Sequence, residues 1–306
     1  MSLDKELSRI VEGASHIEKL GFEAGYKVHS KKAGPKVVIF GIIHGDEKCG
    51  FYAIKNLLQE FAARDLELTC GELTFALGNL RAFDSNERYT EENLNRVFRD
   101  NLPDAPTNYE RERAKILRSL LRGVDFFLDL HATTQASDPF LMCEPHLIDD
   151  ARRIGAAKIV TGWGTLGDGS VAGDTETYAL SHGAKAFTME NGHLAWEGGA
   201  QCAYDTSIGF LRYAGVITNV AAAALPSSQI FHLTRVQTYE RPGFKYSKSF
   251  KTFDLLRAGE LIGTDDTKEF RAAEACTIIM PALPDKKKPG EDLFLIAGLP
   301  RVLGNT

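Results

Sequence analysis

The chain has no apolar run long enough to cross a bilayer: its longest, VVIFGII at 37–43, falls far short of the roughly 20 residues a spanning helix needs. A disulfide framework and a cysteine-bound zinc site are missing too, because the five cysteines (Cys49, Cys70, Cys143, Cys202, Cys276) are odd in number, widely spaced and never in a CxxC pair. No block of lysine or arginine is long enough to track nucleic acid or a membrane surface, and the formal charge of -5 is spread over both signs. Repeats and low-complexity tracts are lacking, and residues 1–20 are charged throughout, without the apolar centre of a signal peptide. These absences lead to the expectation of a soluble, cytoplasmic protein, compatible with a homo-oligomer, whose partner is a small molecule. What is present is 306 residues of ordinary globular composition, enough for one large α/β domain with a smaller partner.

Residues 37–43 are β-branched and apolar on both faces, the pattern of a central strand covered on each side. Residues 46–63 follow with Phe51, Ile54, Leu57, Leu58 and Phe61 at helical spacing and Asp46 available as an N-cap. The stretch 72–77 reads as a strand, 106–123 as an amphipathic helix ending at Gly123, and 124–130 as a buried strand stopping just before His131. Further strands are expected at 140–143, 157–160 and 185–189, with helices near 146–156, 174–182 and 206–224. This alternation predicts an α/β fold, a mixed, mostly parallel sheet flanked by helices, over residues 1–226. In such sheets ligands gather at the carboxyl ends of strands, where His44, His131 and Glu190 all lie. After LPSS (225–228) the pattern turns to partial alternation with recurrent Gly and Pro and one short helical piece, FDLLRAGE, so residues 227–306 are expected to form a smaller β-rich domain. Lys286 to Lys288 beside Pro-Gly read as a solvated turn.

The stretch GIIHGDE leaves the first strand at His44 and reaches Glu47 three positions later. Zinc prefers imidazole nitrogen, carboxylate oxygen and thiolate, and a catalytic zinc keeps one of about four positions open. An H-x-x-E pair at a tight turn can aim both side chains at one ion, and DLHATT can add His131; read alone, HGDE fits a solvated polar turn equally well. Glu190, in FTMENGH, emerges from an apolar strand where desolvation would raise its pKa toward that of a proton carrier, unless it simply faces solvent. The polar stretch 79–100 carries Arg81 directly after a strand and Asn95 with Arg96 between apolar neighbours. Arginine grips carboxylates bidentately, although pairing with the acids of the same stretch also accounts for it. Two glycine-rich pieces, 162–173 and 196–201, lack the strand, GxGxxG and helix arrangement and the GK[ST] ending of phosphate cradles, and read as mobile loops near the site.

Taken in order and spacing, GIIHGDE, NLRA, ENLNRVF, DLHATT and TMENG resemble the succinylglutamate desuccinylase and aspartoacylase family of the zinc carboxypeptidase-like superfamily. The likeness covers residues 37–192, with a weaker echo of the family's C-terminal domain in LLRAGELIG and IIMPALP. Residue by residue, the resemblance implies that His44, Glu47 and His131 bind one zinc per chain and that Glu190 is general base and then acid. It further implies that Arg81 polarises the scissile carbonyl while Asn95 and Arg96 hold the substrate's α-carboxylate. The implied activity is deacylation of an N-acyl amino acid, a linear amide, by zinc-activated water. Relatives acting on acidic substrates use a further arginine about ten residues before the catalytic glutamate, and this chain has no arginine from Ile154 to Met189, which favours a neutral, larger acyl group or side chain. Asp46 stands where relatives often carry Asn, and in some relatives a tail tyrosine contributes to the site, for which Tyr239 and Tyr246 are equal candidates here. The competing readings are a carboxypeptidase-like metallopeptidase and a non-catalytic metal- or ligand-binding relative.

Overall fold

Alternating apolar strands and amphipathic helices build one thirteen-stranded sheet in the computed structural model, which describes residues 2–102, 107–166, 173–218 and 226–304. Its first nine strands are β1 (Ile17–Lys19), β2 (Gly25–His29), β3 (Lys36–Gly41), β4 (Glu72–Leu77), β5 (Phe126–Thr133), β6 (Phe140–Cys143), β7 (Lys158–Thr161), β8 (Lys185–His193) and β9 (Ser228–Thr238). The tail adds β10 (Lys245–Tyr246), β11 (Leu255–Leu256), β12 (Leu261–Thr264), β13 (Glu269–Arg271), β14 (Cys276–Ile279), β15 (Asp292–Ala297) and β16 (Arg301–Leu303). The helices are α1 (Leu3–Ile10), α2 (Cys49–Ala63), α3 (Leu80–Ser85), α4 (Tyr109–Leu121), α5 (Ile148–Ile154), α6 (Thr175–Ser181) and α7 (Gly199–Tyr213).

Strand order is β1-β2-β4-β3-β5-β8-β6-β7-β9-β15-β14-β11, with β16 also on β9, and β10, β12 and β13 form a separate small sheet. The centre, β4, β3, β5 and β8, is parallel; β6 runs antiparallel to β8, and the tail strands join β9 antiparallel. Because side chains alternate along a strand, Ile39, Leu128, Leu130 and Phe187 point to one face and pack with Ile54, Leu57, Leu58 and Phe61 of α2 and Phe210 of α7. Val38, Phe40, Phe127 and Ala186 point to the other, against Ala114, Leu117 and Leu121 of α4. Each such side chain, fully buried, contributes about 1.5–3 kcal/mol of transfer free energy. The tail has its own core around Phe244, Phe250, Ile262, Phe270 and Phe294. β9 pairs with β7 through its first half and β15 through its second, so the sheet runs unbroken from the large α/β part into the β-rich tail.

Several local expectations need correction. Helix α2 starts at Cys49, so Asp46 belongs to the turn and caps nothing. β5 continues through His131 and β8 through Glu190, since their backbones keep pairing past the apolar segments. FDLLRAGE holds the short strand β11 on β14 instead of a helix. α7 begins at Gly199, ahead of the expected 206, and positions 219–224 of that expectation lie outside the described residues, as do 167–172 of the first glycine-rich piece. Among the described residues no helix is long and apolar enough to cross a membrane.

Candidate metal centre and active site

The turn after β3 is tightly specified. Ile42 takes φ +50°, a region β-branched residues rarely adopt, and a Cβ on Gly45 would stand 2.2 Å from the Ala82 carbonyl carbon, so only glycine lets the turn lie against α3. The Gly45 N–H donates to the Arg88 carbonyl at 3.1 Å, and the Glu47 N–H to the His44 carbonyl at 3.2 Å. His44 and Glu47 thereby project to one side, where His131 of the adjacent β5 meets them, and each of the three is 2% exposed.

Glu47 lies between the two imidazoles, with Oε1 at 2.8 Å from His44 Nδ1 and Oε2 at 2.7 Å from His131 Nδ1. One ligand atom from each residue lies within 4.8 Å of those of the others. The far ring nitrogens are anchored: His44 Nε2–H donates to Asn93 Oδ1 at 3.1 Å and His131 Nε2–H to Asp129 Oδ2 at 2.9 Å, with the Thr175 hydroxyl also on Asp129 Oδ2. Donation from Nε2 leaves the Nδ1 lone pairs facing carboxylate oxygens, a set of acceptors that calls for a shared cation or for protons. Two imidazole nitrogens and a carboxylate at this spacing suit a zinc ion.

Electrostatics agree. Burial, then the nearby Arg88, pushes His44 down to about 4, so its ring is neutral at neutral pH as a ligand must be. Burial opposes the charged form of Glu47, yet the imidazoles on either side, His44 when it carries a proton and His131, hold it ionised well below the usual range. Burial opposes protonation of His131 as well, but Asp129 and Glu47 raise it well above its ordinary value, so a metal would compete with a proton there. Glu190 pairs in register with His131 across β5 and β8, is 5% exposed, and its Oε2 has no hydrogen-bond partner. Burial and the Glu47 charge push its pKa up to about 7.

These groups open into a cavity of about 800 Å³ whose walls include Arg88, Asn95 and Arg96. Arg88 Nη1 donates to Glu47 Oε1 at 2.8 Å. Asn95 Oδ1 accepts from the Thr175 N–H at 3.0 Å, and Arg96 Nη2 pairs with Asp292 Oδ2 of the tail at 2.9 Å. Arg81, expected at the carbonyl, lies elsewhere: α3 buries Ala82 and turns Arg81 to solvent, where it stacks 4.3 Å over the Tyr109 ring outside the cavity lining. Arg88 is the arginine that reaches the cluster. Tyr239 and Tyr246 do not line the cavity; both are in the tail core, and Tyr246 donates to the Leu293 carbonyl at 3.1 Å. Lys286, Lys287 and Lys288 border it; Lys286 and Lys288 are exposed, as a solvated run should be, whereas Lys287 is half-buried, and burial with Arg88 nearby lowers its pKa.

Sequence reasoning missed Arg88, Asp129 and Asn93. Asp129 left a signal: a lone acid in an apolar strand, two positions before His131 and therefore on the same face. Arg88 left none among the four arginines of its loop.

Residues 33–203 match the family model described as the succinylglutamate desuccinylase/aspartoacylase catalytic domain. A succinylglutamate desuccinylase of Burkholderia orbicola is 30% identical over 114 residues, 34% of this chain and 33% of that protein. An N-acyl-aromatic-L-amino acid amidohydrolase (carboxylate-forming) of Rattus norvegicus is 33% identical over 127 residues, 38% of this chain and 39% of that one. The chain thus spans little more than a third of the length of these relatives. The crystal structure of a succinylglutamate desuccinylase from Vibrio cholerae shares the fold, with a TM-score of 0.76 at 19% identity over 90% of this chain and 86% of that one. With a family match over more than half its length, the chain belongs to the succinylglutamate desuccinylase/aspartoacylase family.

Proposed function

We propose that the protein is a zinc-dependent amidohydrolase that removes the acyl group from an N-acyl amino acid. The observation that supports this most is the convergence of His44, Glu47 and His131 beside the unpaired, buried Glu190 in one cavity. Zinc held by those three side chains would polarise the acyl carbonyl and acidify a water molecule. Glu190 takes the proton from the attacking water and returns it to the leaving amine, a task suited to a carboxyl with a pKa of about 7. Arg88, fixed against Glu47, faces the same space and is the donor for the developing oxyanion. Asn95, its oxygen occupied by Thr175, keeps its amide NH₂ for the substrate α-carboxylate, and Arg96 joins it by sharing or releasing Asp292.

Residues 1–226 carry this chemistry in our reading, and 227–306 act as the unit that narrows access to it. Tail residues Met280 to Leu283 and Lys286 to Lys288 line the cavity, which favours small N-acyl amino acids over peptides. The free cysteines fit a reducing, cytoplasmic setting. The names of the relatives, a desuccinylase and an amidohydrolase, support hydrolysis at an acylated nitrogen.

The test is metal analysis of the purified protein and of His131→Ala, followed by an N-acyl-amino-acid panel. About one zinc per chain, lost in the variant, with turnover on the panel, is the expected result. Metal-free protein that stays so after zinc reconstitution rejects the proposal, and zinc-bound protein inert on every substrate favours a non-catalytic binding relative.

A further inference from the structure

Glu176 opens α6, is 4% exposed, and lines the same cavity. Thr188 on the neighbouring β8 favours its charged form, and among the described residues no ion pair reaches it. Nor does the sequence offer a local cation, since no lysine or arginine occurs between Lys158 and Lys185. Burial raises its pKa well above the ordinary value, and the charges that act on it are further acids: Asp174, Glu144 and Asp129. The Asp174 oxygens are occupied by the Thr177 N–H and hydroxyl and by Trp163 Nε1–H, so Glu176 is the acid left to receive a ligand.

A buried carboxyl with no cation either stays protonated or takes a positive charge from outside. Three neighbouring acids decide between these: their field repels an anionic ligand and attracts a cation. Asn95, whose Oδ1 accepts from the Thr175 N–H, and Arg96, which pairs with Asp292 and stacks 5.9 Å over the Trp163 ring, stand beside Glu176, so an α-carboxylate held there would lie a short side chain away from it. Met142, cross-strand partner of Thr188, and Trp163 line the wall near Glu176 and offer apolar surface for a short methylene stem.

We infer that Glu176 forms a subsite for an ammonium group, so that the substrate is the N-acyl derivative of a diamino acid, its α-carboxylate at Asn95 and Arg96 and its second amine at Glu176. This rests on the hydrolase reading above and names its substrate class.

The test compares zinc-loaded wild type and Glu176→Gln on α-N-acetylornithine, the neutral isostere N-acetylnorvaline and the acidic N-acetylglutamate, with calorimetric titration of free ornithine. Wild type should prefer the ammonium substrate in kcat/KM on the order of a hundredfold over the neutral one, and the variant should lose that preference together with ornithine binding. Glu176→Asp, which keeps the charge, should retain part of both, and melting curves establish that each variant is folded. Equal or better use of the neutral or acidic substrate by wild type, or a preference that survives in Glu176→Gln, overturns the subsite while the hydrolase reading stands. Ornithine binding that depends on Glu176 without turnover of any N-acyl amino acid upholds the subsite and rejects the hydrolase reading. Neither binding nor turnover overturns both.

Discussion

Glu190, Arg88 and Asp129 act on the same few ångströms in different ways, and single substitutions separate them. Replacing Glu190 by Gln removes the proposed proton carrier and leaves the three proposed ligands untouched, so metal content should stay at wild-type level while kcat falls by about 10²–10⁴. Turnover retained in that variant assigns the base elsewhere. Arg88→Met removes the guanidinium beside Glu47 and should cost about 10²–10³ in kcat, whereas Arg81→Met, altering an exposed side chain stacked on Tyr109, should leave kinetics near wild type. The reverse outcome would restore Arg81 to the site. Asp129 does not line the cavity; it fixes the His131 ring through Nε2. Asp129→Asn should weaken zinc affinity by about 10–100-fold in a chelator competition, with kcat at saturating zinc affected less.

At the scale of elements, the long segment between β4 and α4 is ordered by a few anchors. The Glu110 carboxyl on α4 accepts from Asn79 Nδ2 at 3.1 Å, from the Thr90 N–H at 2.8 Å and from the Thr90 hydroxyl at 2.6 Å, tying the start of the segment and the stretch just after Arg88 to one helix. Burial opposes the charge of Glu110, but these donors win, led by Thr90, and its pKa lies below the ordinary 4.5. A depressed folded-state pKa means that the stabilisation is present above the unfolded value and is lost as pH falls through the folded one. Glu110→Ala should therefore cost about 1–3 kcal/mol in urea unfolding at pH 7, and the gap from wild type should shrink as the solution is acidified below about 4.5. A gap independent of pH would remove the carboxylate from this account. Because the segment carries Arg88 and Arg96, the same variant should also lose activity.

For the whole molecule, sheet and tail together form the cavity wall, and the proposed metal would couple the site to folding. With Lys286 to Lys288 and Met280 to Leu283 on its wall, the cavity should accept N-acyl amino acids and reject peptides with free C-termini. Efficient release of a C-terminal residue from a peptide panel would favour the carboxypeptidase-like reading instead. The buried, mutually facing acceptors of His44, Glu47 and His131 would couple a bound ion to the folded state, so under the proposed zinc reading chelation should lower the melting temperature and zinc should restore it, by about 4 kcal/mol of linkage at a thousandfold excess over Kd. An unchanged melting curve after complete zinc removal contradicts that coupling.

Local order in the sequence was sufficient for the central strands and the helices between them and for placing His44, His131 and Glu190 at strand ends, because strand periodicity and the HGDE turn are set by neighbours along the chain, whereas α1, β1, β2 and α3 left no pattern strong enough to read. Strands β4 and β6 came out with the bounds read from the sequence, whereas β5 and β8 ran longer, since their ends are held by pairing with other strands and not by their own apolar residues. Tertiary structure alone decided which arginine reaches Glu47: the Gly45 to Arg88 contact and the outward turn of α3 depend on segments distant in sequence. It also decided that Lys287 faces a cavity and that Glu176 stands buried among acids, because electrostatic environment is a property of what folds together in space.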